Sequence, residues 1–215
     1  MINLNQPKVN IVALTGSIAG GKSSAAQFFK ELGAFIVDAD VLSRKVVSKG
    51  SPAYLEIKNA FGDSIIQADG EIDRGLLAGL IFSDQKLRKK LEEITHPRIK
   101  ELFSRTLQNL FKELPDSSLV IYVVPLYFET QNKYPEIKKI IVVSSDPEIS
   151  ISRLIQRDKC TREMAEKKYS SQMPIAEKEK RADYVIKNNG SMQELKDKCE
   201  AVYKQLINDL SLTGS

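Results

Sequence analysis

The sequence predicts an α/β domain built on a central parallel sheet, interrupted by two helical excursions. Three observations carry this expectation. Short apolar runs alternate with segments of helical spacing along the 215 residues, the pattern of strands joined by crossover helices. The first run, Val9 to Leu14, is apolar at every position but Asn10, as expected of a strand covered on both faces. Two long, charge-rich helical stretches break the alternation, one after the second strand and one after the fourth.

Taken in order, Val9 to Leu14 is the first strand and runs into the loop "TGSIAGGKSS". "SSAAQFFKELG" follows with helical spacing, and Gly33 is its C-terminal stop. "AFIVDAD" reads as a second short strand ending in acids. The chain is then mostly helical to about Leu114: Ser51-Pro52 has the form of a cap with a first-turn proline, and "DRGLLAGLIF" and Leu87 to Phe111 carry helical spacing. Within that last stretch Pro97 predicts a break between helices. Strands return in "SLVIYVV" and "KKIIVVSS", Asp146-Pro147 opens another helix, and an Arg/Lys/Glu-rich helical segment runs from about Ser150 to Arg181. "DYVIKNNG" is a last strand and turn before a C-terminal helix, Met192 to Leu210, and the tail "SLTGS" is expected to fray. The core thus comprises about 9–45, 117–150 and 182–210, with helical excursions at about 46–116 and 151–181.

Composition narrows the class. Hydrophobic residues at 42% and charged residues at 28% suit a globular chain with a sizeable core. A net charge of +4 suits an anionic small molecule but gives no dense basic stripe for nucleic acid. Cys160 and Cys199 form no CxxC pair, so both are expected as free thiols in a reducing compartment. "MINLNQPK" lacks the basic start and apolar block of a signal peptide, and the longest apolar run, Leu119 to Phe128, is too short to span a bilayer. A cytoplasmic location follows as the expectation.

The loop holds the most specific signal. Gly16, Gly21, Lys22 and Ser23 satisfy G-x-x-x-x-G-K-[ST] between a strand and a helix, the context a phosphate loop requires. Glycines let the backbone curl so that its N–H groups converge on phosphate oxygens, and the next helix adds the positive end of its dipole. The expected nucleotide site is therefore Gly16, Ser17, Ile18, Ala19, Gly20, Gly21, Lys22, Ser23 and Ser24. Lys22 would bridge the outer phosphates, and Ser23 would ligate Mg2+ that keeps most of its waters. The NKxD and DxxG elements of a regulatory GTPase are both missing from the sequence.

A phosphoryl transfer to an alcohol needs a carboxylate to orient the hydroxyl and take its proton. "VDAD" offers Asp38 and Asp40, on one side if the strand continues that far. Asp40 has two readings at this point, that base or a cap for the helix "VLSRKVV". His96 is the single histidine, better suited to contacting a substrate than to catalysis. Arg153 and Arg157 share a helix face, and Arg162 follows a cap at Thr161. Interleaved glutamates make most of this stretch a solvated, salt-bridged surface.

In order and approximate spacing, "LTGSIAGGKS", "VDADVLSRKVV", "THPRI", "VVPLYFE", "RLIQRD", "SSQ" and "ADYVIKNNG" resemble the dephospho-coenzyme A kinases from about Val9 to Gly190. The resemblance implies a three-layer P-loop NTPase fold with a helical substrate-binding insertion and a helical lid. It implies transfer of the γ-phosphoryl of ATP to the ribose 3′-hydroxyl of dephospho-coenzyme A, with Mg2+, as the last step of coenzyme A synthesis. Asp40 becomes the base, Arg44, His96 and Pro125 the acceptor side, Arg157 a lid arginine at the phosphates, and Asn188 to Gly190 the border of the adenine. Either Asp38 or Glu129 assists the metal through water. ATP and dephospho-coenzyme A are the expected partners, and the chain is a monomer or weak homo-oligomer, with no nucleic acid or membrane. The alternative is another small-molecule or nucleotide kinase of the P-loop class. The family loop is usually richer in glycine than this one, which carries Ser17 and Ala19, and Tyr127 stands where leucine is usual.

Overall fold

Five parallel strands run in the order β2-β3-β1-β4-β5. They are β1 (Asn10–Gly16), β2 (Phe35–Asp38), β3 (Leu119–Val123), β4 (Ile137–Ser144) and β5 (Tyr184–Lys187). The computed structural model describes residues 9–130 and 134–210, so the N-terminal "MINLNQPK" and the tail "SLTGS" lie outside the described residues. Every residue of β1 is buried, because β1 is the middle strand, paired with β3 from Asn10↔Leu119 to Leu14↔Val123 and with β4 on its other side.

Helix α1 (Lys22–Glu31) and the last helix, α9 (Met192–Asp209), cover one face of the sheet. Ala25, Phe29, Leu195, Cys199 and Leu206 pack there with Val12, Leu14, Ile121, Val143 and Ile186. Phe29 is fully buried, and truncating it to alanine would cost about 3–5 kcal/mol. The opposite face is also closed, since Ile11, Ala13, Val120, Tyr122 and Val142 are buried too. Ser191 and Glu194 form a reciprocal capping box that fixes where α9 begins.

After β2 come α2 (Ala39–Val46), α3 (Pro52–Phe61), a 3-10 turn, α4 (Arg74–Ser83) and α5 (Gln85–Glu113). Residues 39–110 form a compact unit of their own, distinct from the unit of 1–38 and 111–215 that holds the sheet. Its core gathers Val46, Tyr54, Ile57, Ile65, Leu77 and Ile94. Ser51 accepts from the Tyr54 amide ahead of Pro52, as a cap with a first-turn proline should.

Three expectations need correction. Pairing of β2 with β3 ends at Asp38↔Val123, and α2 starts at the next residue, so Asp38 and Asp40 do not share a strand face. For the same reason Asp40 is not the residue before the helix but lies in its first turn, where a carboxylate offsets the exposed amides. Pro97 does not break α5, which runs through it. Side-chain donors support the carbonyls around it: Thr95 Oγ1 donates to Leu91 O at 2.8 Å and Arg98 Nη1 to Ile94 O at 2.6 Å.

Beyond β4 the charged stretch divides into α6 (Pro147–Asp158), α7 (Arg162–Ser170) and α8 (Ile175–Lys180). Thr161 caps α7 by accepting from the Met164 amide. Arg162 pairs with Glu148 and Glu166, all three exposed, as a solvated surface network would.

Candidate functional site

Parallel strands end on one edge, and beyond that edge a βαβ sheet receives its ligands. Here the edge is formed by Gly16 of β1, Asp38 of β2, Val123 of β3, Ser144 of β4 and Lys187 of β5. The loop from Gly16 to Lys22 curls over the middle of it. Two glycines make that curl possible. Gly16 has φ +151°, and a Cβ there would stand 1.9 Å from Val143 O. Gly21 has φ +97°, and a Cβ there would stand 2.1 Å from the side-chain nitrogen of Asn188. The first α1 amide to reach a carbonyl one turn back is that of Ala25, donating to Gly21 O at 3.0 Å; helix geometry aims the earlier amides outward, toward an anion.

Loop hydrogen bonds come from distant parts of the chain. Asn188 Nδ2 donates to Gly20 O at 3.0 Å, and its own carbonyl accepts from Arg153 Nη1 at 3.1 Å. The Ile18 amide donates to Gln172 Oε1 at 3.2 Å. Ser17 Oγ lies 3.5 Å from Ser150 Oγ, which is 2.7 Å from Ser145 Oγ. Ile18 and Ala19 pack against Ile151, Leu154 and Ala165 of α6 and α7. The two departures from a glycine-rich loop thus fasten it to α6: Ser17 through its hydroxyl, and Ala19 through its methyl. Ala19 does so at φ +55°, a left-handed conformation that costs a non-glycine residue about 1 kcal/mol.

Lys22 Nζ donates to Ser17 O at 2.7 Å and to Gly16 O at 3.5 Å. A second ammonium, that of Lys178 on α8, reaches Gly16 O at 3.4 Å and Glu129 Oε1 at 2.6 Å. Glu129 Oε1 also accepts from the Met173 amide at 3.1 Å. Its other oxygen is buried and accepts no hydrogen bond among the described residues. Thr15 Oγ1 donates to Pro125 O at 3.2 Å, which ties the turn after β3 to the end of β1. In that turn Tyr127 stacks on Tyr134, with centroids 6.5 Å apart.

Any metal at this edge would meet oxygen donors. Among the described residues no group of three or more His, Cys, Asp or Glu could hold a metal. Ser23 is exposed in the first turn of α1 and Asp38 ends β2. With the orphaned Glu129 oxygen, each is a hard oxygen donor of the kind magnesium takes.

Gly16 to Lys22, Asn188, Pro125, Asp38 and Glu129 are therefore residues of one compact unit, while Asp40, Arg44 and His96 belong to the unit of 39–110. On α2, Asp40 and Arg44 lie one turn apart and both are exposed. In the last turn of α6, Arg157 forms an ion pair with Asp158, Nε to Oδ1 at 2.7 Å, and Lys168 joins Asp158 Oδ2 at 2.6 Å. Hydrogen bonds from Arg157 and Lys168 hold the Asp158 carboxyl at about 2, well below its usual value. Asn188 turns its side-chain nitrogen to the loop carbonyl at Gly20. Sequence reasoning singled out neither Gln172, within "SSQ", nor Lys178. Lys178 sits in "EKEK", where spacing gives no sign that one lysine is buried.

A dephospho-CoA kinase family model matches residues 10–194. The chain belongs to the dephospho-CoA kinase family. A Bacillus cereus dephospho-CoA kinase is 38% identical over 194 residues, covering 90% of this chain and 96% of the relative. Among solved structures, TT1252 of Thermus thermophilus superposes with TM-score 0.78 at 31% identity, over 93% of this chain and 98% of that one. Dephospho-CoA kinase from Campylobacter jejuni follows with TM-score 0.62 at 30% identity, over 92% and 97%. The family membership accounts for the parallel sheet, the loop after its middle strand and the helices on its flanks as parts of a kinase fold.

Proposed function

We propose that this chain transfers the γ-phosphoryl group of ATP to the 3′-hydroxyl of dephospho-coenzyme A, giving coenzyme A and ADP. The observation that carries the reading is the loop from Gly16 to Ser23, a curled backbone with Lys22 at its end, in a member of this family. In this reading the loop amides and Lys22 bind the phosphates, with Lys22 exchanging loop carbonyls for phosphate oxygens. Asp40 accepts the proton of the ribose hydroxyl as its oxygen bonds to the γ-phosphorus. The bond from that phosphorus to the β–γ bridging oxygen breaks, and ADP leaves with the electron pair. Ser23 would hold Mg2+, with Asp38 or Glu129 acting through water, and the bound ion would offset charge on the phosphates.

Arg44 and His96, with Pro125, receive the acceptor, and Arg157 faces the transferred group from a lid at about 151–181. Lid closure excludes water that would otherwise hydrolyse ATP. The unit of 39–110 is the substrate-binding subdomain. The enzyme acts in the cytoplasm as a monomer or weak homo-oligomer. No helix among the described residues is long and apolar enough to cross a membrane.

A coupled ADP-release assay tests the reading. ADP should form with dephospho-coenzyme A and Mg2+ and stay at background without the acceptor. Faster turnover with a nucleoside monophosphate or shikimate would move the chain to another P-loop kinase activity.

A further inference from the structure

Lys178 is the one fully buried charged side chain among the described residues. A buried ammonium is costly unless its protons are taken up, and both of its acceptors here belong to the site. Glu129 Oε1 lies at 2.6 Å and Gly16 O at 3.4 Å. Gly16 O also accepts from Lys22 at 3.5 Å, so two ammonium groups share the first carbonyl of the phosphate loop. They differ in freedom. Lys22 opens α1 at the loop's end and is half-buried, whereas Lys178 is enclosed on α8, beside the Met173 amide that shares its carboxylate partner.

We infer that Lys178 is a positioning residue for nucleotide binding: it holds Gly16 O and Glu129 in place while Lys22 leaves the loop carbonyls for the phosphates. This rests on the reading of the loop as the ATP site. Without Lys178, the departure of Lys22 would cost Gly16 O both of its ammonium donors at the moment of binding. The backbone cannot relax toward the sheet to compensate, because Gly16 already abuts Val143 O. Lys178 thereby makes the shape of the loop depend on the segment from Met173 to Lys180, which contributes no residue to the phosphate-loop motif.

The test is Lys178→Met, similar in length but without the charge. ATP affinity is measured by calorimetry with no acceptor present, and both KM values come from the coupled assay. The expected result is at least fivefold weaker ATP binding, with KM for dephospho-coenzyme A within twofold of the unmodified enzyme. A smaller loss of ATP affinity, or a parallel rise in both KM values, overturns the inference, since general loosening would move the two substrates together.

Should Lys178→Met fail to fold, amide hydrogen exchange on the unmodified protein decides. Saturating ATP should slow exchange across 175–180 at least threefold, and unchanged exchange there overturns the inference. An unmodified enzyme that binds ATP but makes no ADP with dephospho-coenzyme A refutes the acceptor and leaves the Lys178 binding measurement standing. One that binds no ATP refutes both.

Discussion

The side-chain amide of Asn188 donates to the carbonyl of Gly20 at 3.0 Å, across 168 positions of sequence. The turn after the last strand thus holds the loop after the first. Asn188→Ala leaves a loop carbonyl without its donor and should cost about 1–3 kcal/mol of stability, with KM for ATP raised about tenfold. Gly21→Ala is expected to do more harm, because the new methyl would stand 2.1 Å from Asn188 Nδ2 at a φ of +97°. Combining the two should recover part of the stability lost in Gly21→Ala alone, a coupling that denaturant titration of all four proteins would measure.

Asp40→Asn keeps the size of the side chain and removes the proton acceptor. Turnover should fall about 10²–10⁴-fold, the usual contribution of a general base, with ATP affinity within about twofold. Steady-state kinetics beside calorimetry checks this, and near-normal turnover would assign the base elsewhere.

Much of this was legible in the sequence, for physical reasons that differ between elements. The apolar run from Val9 to Leu14, broken only by Asn10, pointed to a strand covered on both faces, and β1 is that strand. Ser51, Thr161 and Gly33 marked helix ends because caps and left-handed stops are local chemistry. Pro97 misled because its cost is local, while the donors of Thr95 and Arg98 that support α5 around it appear only once the helix is built. Lys178 was illegible for a similar reason. Nothing in "EKEK" distinguishes it from Lys180, which is exposed and pairs with Glu177.

Acid should expose the cluster at the end of α6. The Asp158 carboxyl titrates at about 2 in the folded chain against an ordinary 3.8, because Arg157 and Lys168 donate to it. The unfolded chain therefore binds more protons between these values, and stability rises with pH across that window. The contribution is complete above about pH 4 and is lost as pH falls toward 2. Denaturant midpoints between pH 2 and 6 should fall less steeply toward acid in Asp158→Asn than in the unmodified protein.

The two thiols should differ in reactivity. Burial pushes the Cys199 thiol up to about 12, leaving almost no thiolate at pH 8 and no path for reagent. Cys160 is only partly buried. Ellman's reagent at pH 8 should therefore titrate one thiol in the native protein and two in urea, with peptide mapping placing the first label on Cys160.

The strand order has a consequence for timing during synthesis. The motif of the phosphate loop is translated ahead of most of the sheet, and β1 has no sheet neighbours until β3 and β4 have emerged. Asn188, which fastens the loop, comes later still. Pairings this distant form slowly and late. A nascent chain thus carries the residues that would grip a triphosphate long before it can grip one. Competence arrives only once Asn188 has emerged and closed on the loop, when the enzyme is ready to spend what it binds.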